Sequence, residues 1–127
     1  MSYRAQRLVL ATQAAYYVAL GGFAFVAPRL FRRLAGVEGS HLIVEANGAL
    51  FTAIGTVLRL GARRPKPEKA VVQLGLLVPA VTSTVVIRNR RQAPRPFAGE
   101  LAAELTFGFA LAAAANAAAR AATDKRD

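Results

Sequence analysis

The sequence predicts an all-α protein: an antiparallel four-helix transmembrane bundle with a short interfacial helix between helices 1 and 2. Three observations predict it. The stretches Leu8–Ala27, Leu42–Leu58, Ala70–Ile87 and Leu101–Ala119 contain two charged residues between them, Glu45 and Glu104. Each is close to the ~20 residues that cross a hydrocarbon core of ~30 Å. All 17 Lys and Arg fall outside them, in a chain that is 54% hydrophobic yet carries a formal net charge of +10. A soluble amphipathic helix places charges along its outer face every few residues. These four stretches do not, so the buried core helix of a soluble bundle is the weaker reading. Spanning segments must satisfy their own backbone hydrogen bonds, which dictates helices.

The elements follow in order as one domain over residues 1–127, with helices at about 8–27, 42–60, 70–88 and 100–119. The first apolar run exceeds the usual ~7–15 residues of a leader, and Pro28-Arg29 is no small-residue cleavage site, so it reads as a spanning helix. In Pro28–His41, Arg29, Arg32 and Arg33 interleave with Leu30, Phe31 and Leu34. That pattern suits a brief helix lying at the membrane interface, ended by Gly36 and Gly39. Gly61–Lys69, with Pro65 and Pro67, and Asn89–Gly99, with Pro94 and Pro96, read as tight basic turns. The fourth helix is alanine-rich and only mildly apolar, so its neighbours must help to bury it. The tail after Ala119 is polar and is expected to fray.

Composition excludes several classes of function. With no Cys and one His (His41), disulfide frameworks, thiolate metal sites and His-pair metal sites are ruled out. No Gly-rich phosphate loop, Ser/His/Asp set or metal cluster stands out, so no cofactor is expected. The positive charge suits anionic lipid headgroups. Nucleic acid is not expected as a partner, because no aromatic-interleaved basic platform accompanies the charge. Fourteen Arg against three Lys, with 28 Ala, suggest a GC-rich bacterial genome and a bacterial cell membrane. Ten Lys and Arg fall on the side of the termini against seven on the opposite side, which favours cytoplasmic termini.

Whatever chemistry exists must come from polar residues within the spans. Glu45, Thr52, Thr56 and Arg59 form one stripe on the second helix at 100° per residue. The third helix carries Gln73, Thr84 and Arg91, with Pro79 between them. Pro79 lacks an N–H and so frees the Gly75 carbonyl, where a kink or local opening is expected. The first helix offers Gln13, Tyr16 and Tyr17, and Glu100 and Glu104 stand one turn apart at the start of the fourth.

With alternating directions, Glu45, Glu100, Glu104, Thr84 and Arg88 gather towards the Pro28–His41 side, and Gln13, Gln73, Thr56 and Arg59 towards the other. Carboxylates within hydrocarbon are expected to pair or to face the bundle interior. In a structural reading, which takes precedence, Glu45 or Glu104 pairs with Arg88 or Arg91 and fixes helix order. In a catalytic reading Glu45, Glu104 and Glu100 are candidate acid and base groups at the mouth of a lipophilic pocket. Arg88, Thr84, Tyr17 and Asn47 are then candidate ligand-binding residues. Gly21-Gly22, Gly48, Gly55, Gly75 and Gly108, with Ala49-x-x-x-Ala53, permit close helix contact or self-association.

The first helix ends in Gly21-Gly22…Pro28 before a Leu/Phe/Arg segment and Gly36; the second carries Glu45-x-Asn47-Gly48-Ala49…Gly55. In these features the chain resembles small four-helix bacterial membrane proteins of DoxX-like type. The resemblance implies the bundle and a membrane address, and it carries over no catalytic residue. Three functions are open at this point. The first is a small non-enzymatic subunit or accessory factor that engages a larger membrane partner or a second copy. The second is a membrane-embedded isomerase or cyclase acting on a lipophilic substrate through Glu45 and Glu104. The third is a small-solute transporter or channel formed by an oligomer.

Overall fold

A computed structural model describes residues 3–91 and 95–124. Pro94, and Lys125 and Arg126 of the tail, lie outside the described residues. The chain forms α1 (Arg4–Val26), α2 (Pro28–Ala35), α3 (His41–Arg63), α4 (Lys69–Arg88) and α5 (Phe97–Thr123). All but α2 are long and apolar enough to cross a membrane, and the protein is a multi-pass membrane protein built as a four-helix bundle. Helices α1, α3 and α5 outrun their apolar stretches by four or five residues at one end or both, and α4 by one residue at each end. Backbone bonding continues into the polar flanks, and α5 stays helical to Thr123 where fraying was expected.

Around the bundle the order is α3, α1, α5, α4, with α1 touching both α3 and α5 and α4 lying mainly on α5. Leu10, Ala14, Tyr17, Leu58, Ala62 and Leu111 form the buried core. Helix α1 buries Gln6, Leu10, Gln13, Tyr17, Gly21 and Ala24, a repeat of three and four residues that suits left-handed packing. Its match on α3 is Val44, Gly48, Gly55, Leu58 and Ala62.

The α1–α3 pair is held at backbone distance. A Cβ on Gly21 would lie 2.7 Å from the Gly48 carbonyl oxygen, and one on Gly48 would lie 2.6 Å from the Phe25 nitrogen. One on Gly55 would lie 2.9 Å from the Ala14 carbonyl oxygen. Only glycine fits at these crossings. In lipid, where no hydrophobic force drives helices together, such close approach supplies the dispersion contact that holds the pair.

Helix α2 separates its two faces by nearly half a turn, with Arg29, Arg32 and Arg33 opposite Leu30, Phe31 and Leu34. Gly36 ends it in a left-handed conformation (φ 65°), and the Val37 N–H reaches back to the Arg32 carbonyl at 3.1 Å. Phe31 packs edge-on against Phe23 of α1, with ring centroids 5.7 Å apart, which ties α2 to the bundle end. At the opposite end the Arg7 Nε–H donates to the Ala62 carbonyl at 2.9 Å and satisfies one of the open acceptors at the end of α3.

Candidate functional site

The polar centre of the bundle grows from the gap that Pro79 leaves. Helix α4 runs through Pro79 as one element, and residue 79 has no N–H to give the Gly75 carbonyl. That carbonyl accepts instead from Gln13 Nε2 of α1 at 2.9 Å. The same amide nitrogen donates to the Tyr17 hydroxyl oxygen at 3.2 Å, and the Tyr17 O–H donates to Glu104 Oε2 at 2.7 Å. Three helices are thereby joined through four residues: a carbonyl on α4, an amide and a phenol on α1, and a carboxyl on α5. Gln13, Tyr17 and Glu104 are all fully buried.

Glycine at 75 makes the approach possible, because a Cβ there would meet Leu111, Leu10 and the Gln13 Oε1 at 2.7, 2.9 and 3.1 Å. Tyr17 is further held among Tyr16, Phe51 and Phe107, with ring centroids 5.4–6.5 Å away. At about 1.5 Å per residue, Glu104 lies about 10 Å along α5 and Tyr17 about 13 Å from the end of α1. The network therefore sits well inside the hydrocarbon.

Three buried polar atoms have no hydrogen-bond partner among the described residues: Gln13 Oε1, Ser83 Oγ and Glu104 Oε1. One hollow borders this centre and a second lies towards α2. A groove of about 430 Å³ between α4 and α5 is lined by Pro79, Ser83, Thr84, Glu104, Gly108 and Phe109, among others. A cleft of about 350 Å³ opens between α3 and α4 towards α2. Leu20, Gly21 and Ala24 floor it, Phe31 and Val37 cover its end, and Asn47, Thr82 and Glu100 are its polar residues.

Several expectations need correction. Glu45 is exposed on the outside of α3 and lines neither hollow, so it does not face the interior beside Glu104. The reason is rotational: Val44 and Gly48 take the inward positions, and the stripe Glu45, Thr52, Thr56, Arg59 lies about a quarter turn from that seam. Thr52 and Thr56 return their hydroxyls to the Gly48 and Thr52 carbonyls of their own helix at 2.8 Å, so the stripe needs no inner partner.

Arg88 is exposed at the end of α4, and among the described residues the single ion pair is Arg64–Glu68. Glu104 is thus matched by a phenol and not by an arginine. Gln13, expected towards the opposite side from Glu104, is joined to it through Tyr17, which lies one turn further along α1 towards Glu104. Of the other candidates, Thr84 is on the groove rim with its hydroxyl bound to the Ala80 carbonyl at 2.7 Å, and Asn47 and Glu100 are in the cleft. Ser83 was not singled out from the sequence: an isolated serine in an apolar helix gives no signal of burial.

Comparison with family models, with curated proteins and with solved structures returned no match to this chain.

Proposed function

We propose that the chain is a small non-enzymatic subunit or accessory factor of a bacterial cell membrane, with both termini cytoplasmic and anionic headgroups around its basic connections. The observation that carries this reading is the use of Glu104. One of its oxygens is engaged in a bond that ties α5 to α1, while Glu45 stands outside the bundle, away from it. An acid and base pair for catalysis would have to share one pocket within hydrogen-bond reach of a substrate. The filled core around Leu10, Tyr17, Leu58 and Leu111 agrees with a structural role for the bundle. The DoxX-like resemblance agrees too, in bringing a bundle and no catalytic residue.

One observation favours a second reading, an enzyme for a lipophilic substrate: the cleft sets Glu100 and Asn47 among apolar side chains. A single experiment separates the two. Tagged chain is cross-linked in bacterial membranes and purified in mild detergent, and the lipids of the same membranes are profiled. The accessory reading expects one membrane protein in stoichiometric amount and an unchanged lipid profile. Recovery of the chain alone, with a lipid species altered in proportion to its expression, would overturn it.

A further inference from the structure

The groove between α4 and α5 contains an unused acceptor. Glu104 is completely buried, its Oε2 is occupied by Tyr17, and its Oε1 meets no donor. Ser83, also buried, borders the same groove with its hydroxyl unbonded, whereas the neighbouring Thr84 hydroxyl is already given to the Ala80 carbonyl. A buried polar atom without a partner is costly, and most of all on a carboxyl group. Two residues that line one hollow thus each carry an unpaired buried atom, which a hydrogen-bonding guest there would satisfy.

The hollow is shaped for one. Gly108 leaves its wall open, since a Cβ there would meet only Pro79, at an ordinary 3.5 Å. Its rim residues Leu105, Ile87 and Phe109 are exposed, and in a spanning helix that exposure faces acyl chains, so access is lateral from the bilayer.

We propose that this groove binds an amphiphile whose head donates hydrogen bonds, an alcohol or ammonium group on an apolar chain, with Glu104 Oε1 and Ser83 Oγ as its polar anchors. The acceptor on Glu104 selects a donor and disfavours a carboxylate or phosphate head. The apolar wall along α4 from Leu76 to Ile87, about 16 Å at about 1.5 Å per residue, takes the chain. This site does not depend on the accessory role proposed above, and it uses neither Glu45 nor the α3–α4 cleft.

The test uses three hexadecyl probes that carry a diazirine on the chain and a hydroxyl, ammonium or carboxylate head, with the full-length protein in lipid nanodiscs. Labelled peptides are located by mass spectrometry. The hydroxyl probe, the ammonium probe or both should label residues 76–88 and 104–112 about tenfold more than the carboxylate probe, the ratio that one hydrogen bond supports. Ammonium labelling alone assigns a cationic amphiphile, and hydroxyl labelling alone a neutral one.

Glu104→Gln keeps a carbonyl for the Tyr17 O–H but turns an amide donor towards the groove, so labelling by the ammonium probe, which has no acceptor, should fall to the carboxylate level, while a hydroxyl head can still accept from the amide. Gly108→Leu fills the groove one turn from Glu104 without removing a hydrogen-bonding atom of the Gln13–Tyr17–Glu104 network, and should lower labelling by either probe to the carboxylate level, which keeps the test decisive if Glu104→Gln fails to fold. Equal labelling by all three probes, unchanged in Gly108→Leu, would overturn the proposal. So would cross-links between α4 and α5 of two copies in place of probe labelling, because the occupant would then be a second chain.

Discussion

The Gly75 carbonyl offers a direct test of how this bundle is held. Replacing Gln13 with Met keeps an unbranched side chain of similar length but removes both bonds from Nε2, to Gly75 and to Tyr17. Polar contacts between helices in a membrane contribute about 0.6 kcal/mol on average and up to about 1.7. Losing two bonds should therefore cost about 1–3 kcal/mol. Pro79→Ala supplies a backbone N–H in α4, which the Gly75 carbonyl takes up as the ordinary bond of its own helix. In that background Gln13→Met abandons one bond where it abandoned two, so its cost should fall by about 0.6–1.7 kcal/mol.

The sign of Pro79→Ala alone decides nothing, because the gained N–H is offset by loss of a buried ring at the groove; the double-mutant cycle isolates the shared carbonyl. Unfolding free energies are measured by steric trapping in bicelles, with both ends of the chain biotinylated. An unchanged cost of Gln13→Met in the Pro79→Ala background would refute the claim that α1 covers the carbonyl that proline frees.

Three further outcomes follow from the same packing. Gly48→Ala drives a methyl against the Phe25 nitrogen and the Gly21 carbonyl oxygen, both backbone atoms, and should destabilise by about 1–3 kcal/mol; Gly22→Ala, whose Cβ would meet nothing within 4 Å, should be neutral or slightly stabilising in the same unfolding assay. Glu45→Gln, at an exposed position on α3, should change stability by no more than about 0.5 kcal/mol, and a loss of several times that would show an inner partner for Glu45.

Depth was legible in this sequence and rotation was not. The uncharged runs and their lengths define four spans, and Pro79 announces a free carbonyl at Gly75 from chemistry alone. Gln13 and Tyr17, one turn apart, announce a polar face on α1. That the two features meet depends on which helices are neighbours and on how α1 is turned, and the hydropathy pattern of an apolar helix encodes neither. The misplacement of Glu45 has the same origin. In water a polar stripe points outwards and marks the buried face by contrast. In lipid that contrast disappears, because threonines can close on their own backbone, as Thr52 and Thr56 do. The usable signal for the inner face was the series Gly48, Gly55 with Ala14, Gly21, small residues seven apart on both helices.

The two pairings of α1 also account for the open side of the bundle. Ala14 and Gly21 point one way from the α1 axis, and Gln13 and Tyr17 about 70° away from them. The first pair fixes α3 by backbone contact, which weakens steeply with a shift of even 0.5–1 Å. The second fixes α4 and α5 by hydrogen bonds that only one rotation of α1 can make. Both partners are therefore positioned by α1 and not by each other. Helices α3 and α4 are joined through the short turn between them, where Gly61 lies against Val71. Towards α2 no hydrogen bond or ion pair among the described residues draws them together: Val81, Val85 and Val86 of α4 face Ile43, Val44 and Asn47 of α3 across the cleft. Closing it would require α3 to leave its glycine seam or α4 to leave Gln13. The cleft is thus a consequence of how α1 divides its two faces.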